Sequence, residues 1–245
     1  EFETTFSLAE TLAESQFFEQ ELKGFFQGAF RPLRSAVMGT RAIEEQRADE
    51  GLFFLEPYRT GHIPVVLVHG TASSPGRWAD LVNELANDRA IGERFQFWLY
   101  LYNTGNPVAY SGGQLRQSLE HAVEVLDPEG RDLDLHRMVV IGHSQGGLLT
   151  KTTAIDSGSR LWDVASKIPL DQLDLSPDTR ATLEQSLYYT PEPFVKRVIF
   201  VCTPHRGSYL AGLTLARMAG SLVSLPSELT GRMLEVVTLN EGALA

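Results

Sequence analysis

The most constraining stretch of the chain is Met138-Val139-Val140-Ile141-Gly142-His143-Ser144-Gln145-Gly146-Gly147. Its first four residues are apolar and rich in β-branched side chains, which reads as a short buried strand. After it, Leu148-Leu149-Thr150-Lys151-Thr152-Thr153-Ala154-Ile155 carries a helical pattern. Strand and helix therefore meet in one sharp turn with Ser144 at its apex, inside a Gly-x-Ser-x-Gly run. So tight a turn strains the backbone of its central residue, and a side chain two positions before or after would clash, so glycine is expected at 142 and 146. The serine hydroxyl is left clear of its neighbours above a helix N-terminus, whose free N–H groups and dipole favour developing negative charge. A bare Gly-x-Ser-x-Gly is also an ordinary glycine-rich turn. The strand before it and the helix after it point instead to a nucleophile.

The rest of the chain repeats the alternation. Leu52-Phe53-Phe54-Leu55 reads as a strand, and Val65-Val66-Leu67-Val68 as a buried parallel strand running into His69-Gly70-Thr71. A helix is expected over 78–87 with Leu81, Val82 and Leu85 inward, then a strand over 95–102. Ser111 and Gln114 fit a capping box for a helix reaching about Leu126. Val198-Ile199-Phe200-Val201-Cys202 is the strand that follows the serine helix. The pattern predicts an α/β fold with a mostly parallel, doubly wound sheet.

Two regions break the rhythm. Residues 1–50 are expected to form an N-terminal helical segment, with Leu8, Leu12, Phe17, Phe18, Leu22, Phe25 and Phe26 on one face over 7–28. That face is expected to pack on the main domain. A membrane-surface role is the alternative, and the acidic opposite face (Glu10, Glu14, Glu19, Glu21) opposes binding to anionic lipid. Residues 157–194, punctuated by Pro169, Pro177, Pro191 and Pro193, are expected to be a helical cap inserted over the site, with a core formed by 51–156 and 195–245. Helical segments are expected over 209–223 and 227–240.

Composition narrows the function. A formal net charge of −10 argues against a nucleic-acid groove. The single cysteine, Cys202, excludes an intramolecular disulfide. No run of 18 apolar residues is present, so no membrane-spanning helix is expected. The chain opens at Glu1 without a basic-then-apolar leader, which suggests a processed or trimmed start.

Acyl transfer needs a nucleophile, a base, an orienting acid and oxyanion donors. Ser144 is the nucleophile. The N–H of Gln145 is expected as one oxyanion donor and the N–H of Thr71 as the other, with the Thr71 hydroxyl a further one. His143 and His69 are read as structural, and no His-x-x-His or His-Glu-x-x-His spacing suggests a metal. The aromatic residues Trp98, Tyr100, Tyr102, Trp162, Tyr188 and Tyr189 suit either an apolar acyl pocket or the core.

Together, His69-Gly70-Thr71, Gly142-His143-Ser144-Gln145-Gly146-Gly147 and Thr203-Pro204-His205-Arg206-Gly207 resemble the lipase and carboxylesterase branch of the α/β-hydrolase superfamily, over about residues 52–240. The loop 102–107 and the segment 156–162 also resemble bacterial serine esterases with an inserted cap. The resemblance implies an α/β-hydrolase fold on an eight-stranded sheet, a small-molecule or lipid ester substrate and no cofactor. It also implies a secreted or cell-envelope location in a bacterium. Its triad runs Ser, then Asp or Glu, then His.

The chain departs from that order. After Ser144 it holds one histidine, His205, inside the Thr-Pro-His-Arg-Gly turn that such enzymes use structurally. No aspartate follows Asp178, and Glu192, Glu228, Glu235 and Glu241 are later acids outside clear strand-end loops. The expectation is therefore that the C-terminal part of the fold, with acid and base, lies outside this chain, on a disordered, removed or separate segment. The rivals are His205 as base, and a catalytically incomplete hydrolase fold that binds a ligand or partner.

Overall fold

The computed structural model describes residues 50–71, 73–166 and 168–206. The helices expected over 7–28, 209–223 and 227–240 lie outside the described residues. Within them, five strands form one sheet: β1 (Gly51–Phe54), β2 (Ile63–Val68), β3 (Phe95–Leu101), β4 (Met138–His143) and β5 (Val195–Val201). Their order is β1-β3-β2-β4-β5. β1 runs antiparallel to β3, and every other pair is parallel.

Both faces of the central strands are covered, which is why they read as near-continuous apolar runs, whereas β5 is largely exposed among the described residues. All six residues of β2 are buried. On one face Val66, Val68, Trp98, Tyr100, Met138 and Val140 pack under α3 (Val108–Leu126) and α4 (Gln145–Thr152), through Leu115, Leu119 and Leu149. On the other, Val65, Leu67, Phe97, Leu99 and Ile141 meet Trp78 together with Val82 and Leu85 of α1 (Ala79–Asn87) and Ile91 of α2 (Arg89–Gly92). β3 lies on one side of β2 and β4 on the other. The chain therefore reverses direction across the sheet at β2, a topological switch point that brings the loops after β2 and β4 to the strands' carboxyl ends.

Several local expectations are corrected. The helix predicted to begin at Ser111 begins at Val108, because Pro107 (φ −55°) sets the chain up one turn earlier and its carbonyl accepts the Ser111 N–H at 3.0 Å. Ser111 and Gln114 thus form no capping box, and Ser111 is buried inside the helix. Leu81 is exposed, while Val82 and Leu85 of the same helix face the core. Trp98, Tyr100, Tyr102 and Trp162 are buried at 1–4% exposure and serve the core rather than an acyl pocket.

The insertion over 157–194 contains no strand among the described residues. It holds α5 (Arg160–Ala165), a 3₁₀ turn at Leu170–Gln172 and α6 (Pro177–Leu187). Ser176 caps α6 by accepting the Thr179 N–H. Trp162, Leu170 and Leu173, backed by Leu183 and Leu187, give it a small apolar centre.

The neck of the insertion is at the amino ends of the strands. The Glu192 N–H bonds the Thr153 carbonyl just past the end of α4, and Phe194 accepts the N–H of Met138, the first residue of β4. Ser157 and Tyr189 join the two sides of the neck, N–H to carbonyl and N–H to hydroxyl, both at 2.9 Å. From there α6 packs along α3, where a methyl on Gly113 would meet the Gln185 carbonyl at 2.9 Å. Arg116 fastens this contact. It donates to the Gln185 carbonyl and lies over the Tyr189 ring, 4.7 Å from its centre.

Glu192 is only 6% exposed beside Arg116. Burial, with the charge of Glu120 adding and Arg116 opposing, pushes its carboxyl from the ordinary 4.5 up to about 7. The folded chain therefore holds a proton that the unfolded chain releases across that window, and stability falls as pH rises through it. Glu192→Gln keeps the neutral shape. Its melting temperature is expected to differ little from wild type at pH 5 and to exceed it at pH 8; a difference independent of pH would refute this account.

Candidate active site

Ser144 stands between β4 and α4 with φ 51° and ψ −120°, a conformation that L-residues rarely adopt. Strain of this kind costs roughly 1–3 kcal/mol and persists only where the surroundings hold it. Here they do. The Ser144 N–H donates to the Val201 carbonyl of β5 at 2.9 Å, and the Ser144 carbonyl accepts the Gly147 N–H at 3.1 Å. Cys202, next after Val201, is the other described non-glycine residue with positive φ, at 50°. The Ser144 hydroxyl makes no hydrogen bond among the described residues.

The glycines around it follow from contact distances. A methyl on Gly142 would lie 2.5 Å from the Gly146 carbonyl oxygen and from the Gly147 Cα, the clash across the turn that the sequence implies. A methyl on Gly146 would instead overlap the Val68 and His69 carbonyls at the end of β2, and one on Gly147 would overlap Thr203. Gly70 completes the set, since a methyl there would be 2.9 Å from Ser144 Cβ. The loop after β2 thus passes directly against Ser144.

Thr71 and Gln145, the two residues expected to supply oxyanion N–H groups, are brought together. The Thr71 hydroxyl donates to Gln145 Oε1 at 2.6 Å, and Gln145 Nε2 donates to the Thr104 carbonyl at 3.3 Å. Among the described residues neither backbone N–H donates to a carbonyl. In this arrangement the Thr71 hydroxyl proton is directed at Gln145.

His69 has the structural role expected of it. It is 2% exposed and stacks on Tyr102 with ring centres 4.6 Å apart. Its Nδ1 lies 3.0 Å from the Gly70 carbonyl, which can only accept, so Nδ1 carries the proton and Nε2 is left to accept the Tyr102 N–H at 3.5 Å. Tyr102 returns its hydroxyl to the His69 carbonyl at 3.0 Å. Burial lowers the His69 pKa to about 4, which keeps the ring neutral at physiological pH. His143 meets Trp78 edge-on, and burial, reinforced by Arg77, also lowers its pKa.

His205 lies beyond β5 with its ring edge-on to Phe200, centres 4.6 Å apart. No hydrogen bond joins the ring to Ser144 or to a carboxylate among the described residues. Nor is any group of three or more His, Cys, Asp or Glu side chains there arranged to hold a metal ion. A cleft of about 670 Å³ opens between α3 and the insertion, lined by Arg116, Glu120, Asp171, Glu184 and Tyr188; Ser144, Thr71 and Gln145 do not line it. The contribution of Thr104 was not visible in the sequence. The only available signal was that its loop leaves the carboxyl end of a strand.

No protein-family profile and no curated protein matches the chain. Among solved structures it is similar to the Bacillus licheniformis lipase BlEst2 in its propeptide form, at 21% identity and a TM-score of 0.38, over 73% of this chain and 29% of that one. The mature form of BlEst2 is 20% identical with a TM-score of 0.40, over 78% and 66%. A thermophilic esterase of the Planctomycetes species Thermogutta terrifontis, Est2 with propionate bound, is 11% identical with a TM-score of 0.33, over 68% and 56%. The chain thus spans less than two thirds of the length of these proteins.

The glycine contacts make the site's dependence on close packing testable. Gly147→Ala is expected to lower the thermal midpoint by several degrees, as overpacking of about 1–3 kcal/mol implies. Adding Thr203→Ala, which removes the overlapping hydroxyl and methyl, is expected to recover part of the loss. A Gly147→Ala chain as stable as wild type would contradict the geometry.

Proposed function

We propose that the chain is a serine hydrolase of the α/β-hydrolase type, or part of one, that cleaves carboxylic esters through an acyl-enzyme on Ser144. The observation that carries this is the strained Ser144 backbone, φ 51°, at the junction of β4 and α4. A binding surface has no use for a serine held in that conformation with its hydroxyl unbonded. Gly70 pressed against Ser144, and the two uncommitted N–H groups of Thr71 and Gln145, support the same reading.

In the proposed reaction, Ser144 Oγ attacks the acyl carbon as its proton passes to a base. The Thr71 and Gln145 N–H groups take the oxyanion of the tetrahedral intermediate. The intermediate collapses, the alcohol leaves with the proton, and water releases the acid by the reverse sequence. The small-molecule or lipid ester substrate needs no cofactor for these steps. The base is a histidine of a further segment or, as the rival, His205.

The test is an intact-mass measurement with a fluorophosphonate probe beside p-nitrophenyl ester hydrolysis, for wild type, Ser144→Ala and His205→Gln. One probe adduct on wild type and none on Ser144→Ala are expected, with hydrolysis falling at least about 1,000-fold in Ser144→Ala. An equal fall in His205→Gln would make His205 the base, and retained activity would place the base elsewhere. A folded wild type that neither reacts nor hydrolyses would leave the binding-module reading.

A further inference from the structure

We infer that the Gln145 side chain is a positioning residue: it clamps the loop after β2, which carries Thr71, to the elbow and to the loop after β3. The inference rests on the hydrolase reading and adds a role for a side chain whose backbone N–H alone that reading uses. Gln145 is the first residue of α4, directly after Ser144. Its amide reaches Thr71 in one direction, at 2.6 Å, and Thr104 in the other, at 3.3 Å. The three residues follow β4, β2 and β3, which lie side by side in the sheet. One side chain therefore ties together loops spread over two strand spacings, roughly 9–10 Å.

The orientation of the amide is determined by its partners. The Thr104 carbonyl can only accept, so the Gln145 atom facing it is the NH₂ group. Oε1 then faces Thr71 and can only accept, so the Thr71 hydroxyl must donate. Each polar atom thus has one chemical role and no exchange of partners is possible without breaking both bonds. Thr71 is exposed, and on the other side of Gly70 the polar anchor among the described residues is the His69–Tyr102 pair. Without the clamp, the Thr71 N–H loses its fixed distance from Ser144, and preorganised donors owe their effect to that fixed distance.

Both residues keep their backbone N–H when substituted, so the side chains can be tested alone. In the full chain, Gln145→Met and Thr71→Val are each expected to lower kcat for Ser144-dependent ester hydrolysis by about 10- to 100-fold. KM should stay within about threefold, because the lost interaction serves the transition state. Thr71→Ser, which keeps the hydroxyl, should retain kcat within about threefold of wild type. The double variant Thr71→Val with Gln145→Met should be no slower than the slower single variant. Hydrogen exchange over residues 69–74 should be faster in Gln145→Met than in wild type.

A direct oxyanion role for the Thr71 hydroxyl predicts the opposite for Gln145→Met, whose kcat would be unchanged or raised because the hydroxyl is released. That result, multiplying effects in the double variant, or a Thr71→Ser chain as slow as Thr71→Val would each overturn the clamp. If wild type shows no Ser144-dependent turnover, the hydrolase reading fails by itself. The clamp is then decided by exchange: faster exchange over 69–74 in Gln145→Met upholds it, and unchanged exchange overturns it.

Discussion

The hydrogen bond from the Ser144 N–H to the Val201 carbonyl is the interaction on which the candidate site depends. It continues the pairing of β4 with β5 one residue past the end of the ladder, where His143 is already opposite Val201. It therefore fixes a residue whose backbone has left the extended region, and offsets the cost of that departure. The same bond sets how far α4 can drop away from the sheet, and so how near Gly146 comes to the carbonyls of Val68 and His69. Close approach of β2, β4 and β5 is one constraint seen from three directions. The missing Cβ atoms at 70, 142, 146 and 147 permit it.

Around this rigid centre the polar groups are arranged so that few protons have a choice. Buried His69 is neutral and its tautomer follows from the Gly70 carbonyl. The Gln145 amide is oriented in the same way by Thr104. By contrast, the Ser144 hydroxyl and the N–H groups of Thr71 and Gln145 are left without partners among the described residues. Satisfied groups surround unsatisfied ones, an arrangement that favours a reacting group whose charge develops at that point.

Much of this was legible in the sequence because it is local. The β-branched run before Gly142 and the glycines on either side of Ser144 constrain the backbone within a few residues, and β4, the strained turn at Ser144 and α4 formed where expected. The five-stranded order was only partly legible, since alternation implies parallel strands but not the antiparallel β1. The start of α3 was misread because Ser111 and Gln114 imitate a capping box, while Pro107 had already set the helical φ. Where the insertion leaves the sheet was not legible, for a topological reason. Its ends follow the course of α4 back to the amino ends of the strands, and nothing in its own composition records that direction. The Gln145 contacts with Thr71 and Thr104 span 74 and 41 residues of sequence, beyond the reach of any local pattern.

The neck of the insertion has a consequence for how this chain can vary. Because Ser157 is bonded across to Leu187 and Tyr189, the two points where the insertion leaves and returns are already adjacent. The entropy of closing that loop grows only with the logarithm of its length, each doubling adding about 0.6 kcal/mol. Residues between these points can therefore lengthen, shorten or be exchanged without redrawing the sheet, provided the contacts with α3 are met. The insertion is a side branch of the fold, and its divergence need leave no trace in the pairing of β4 with β5.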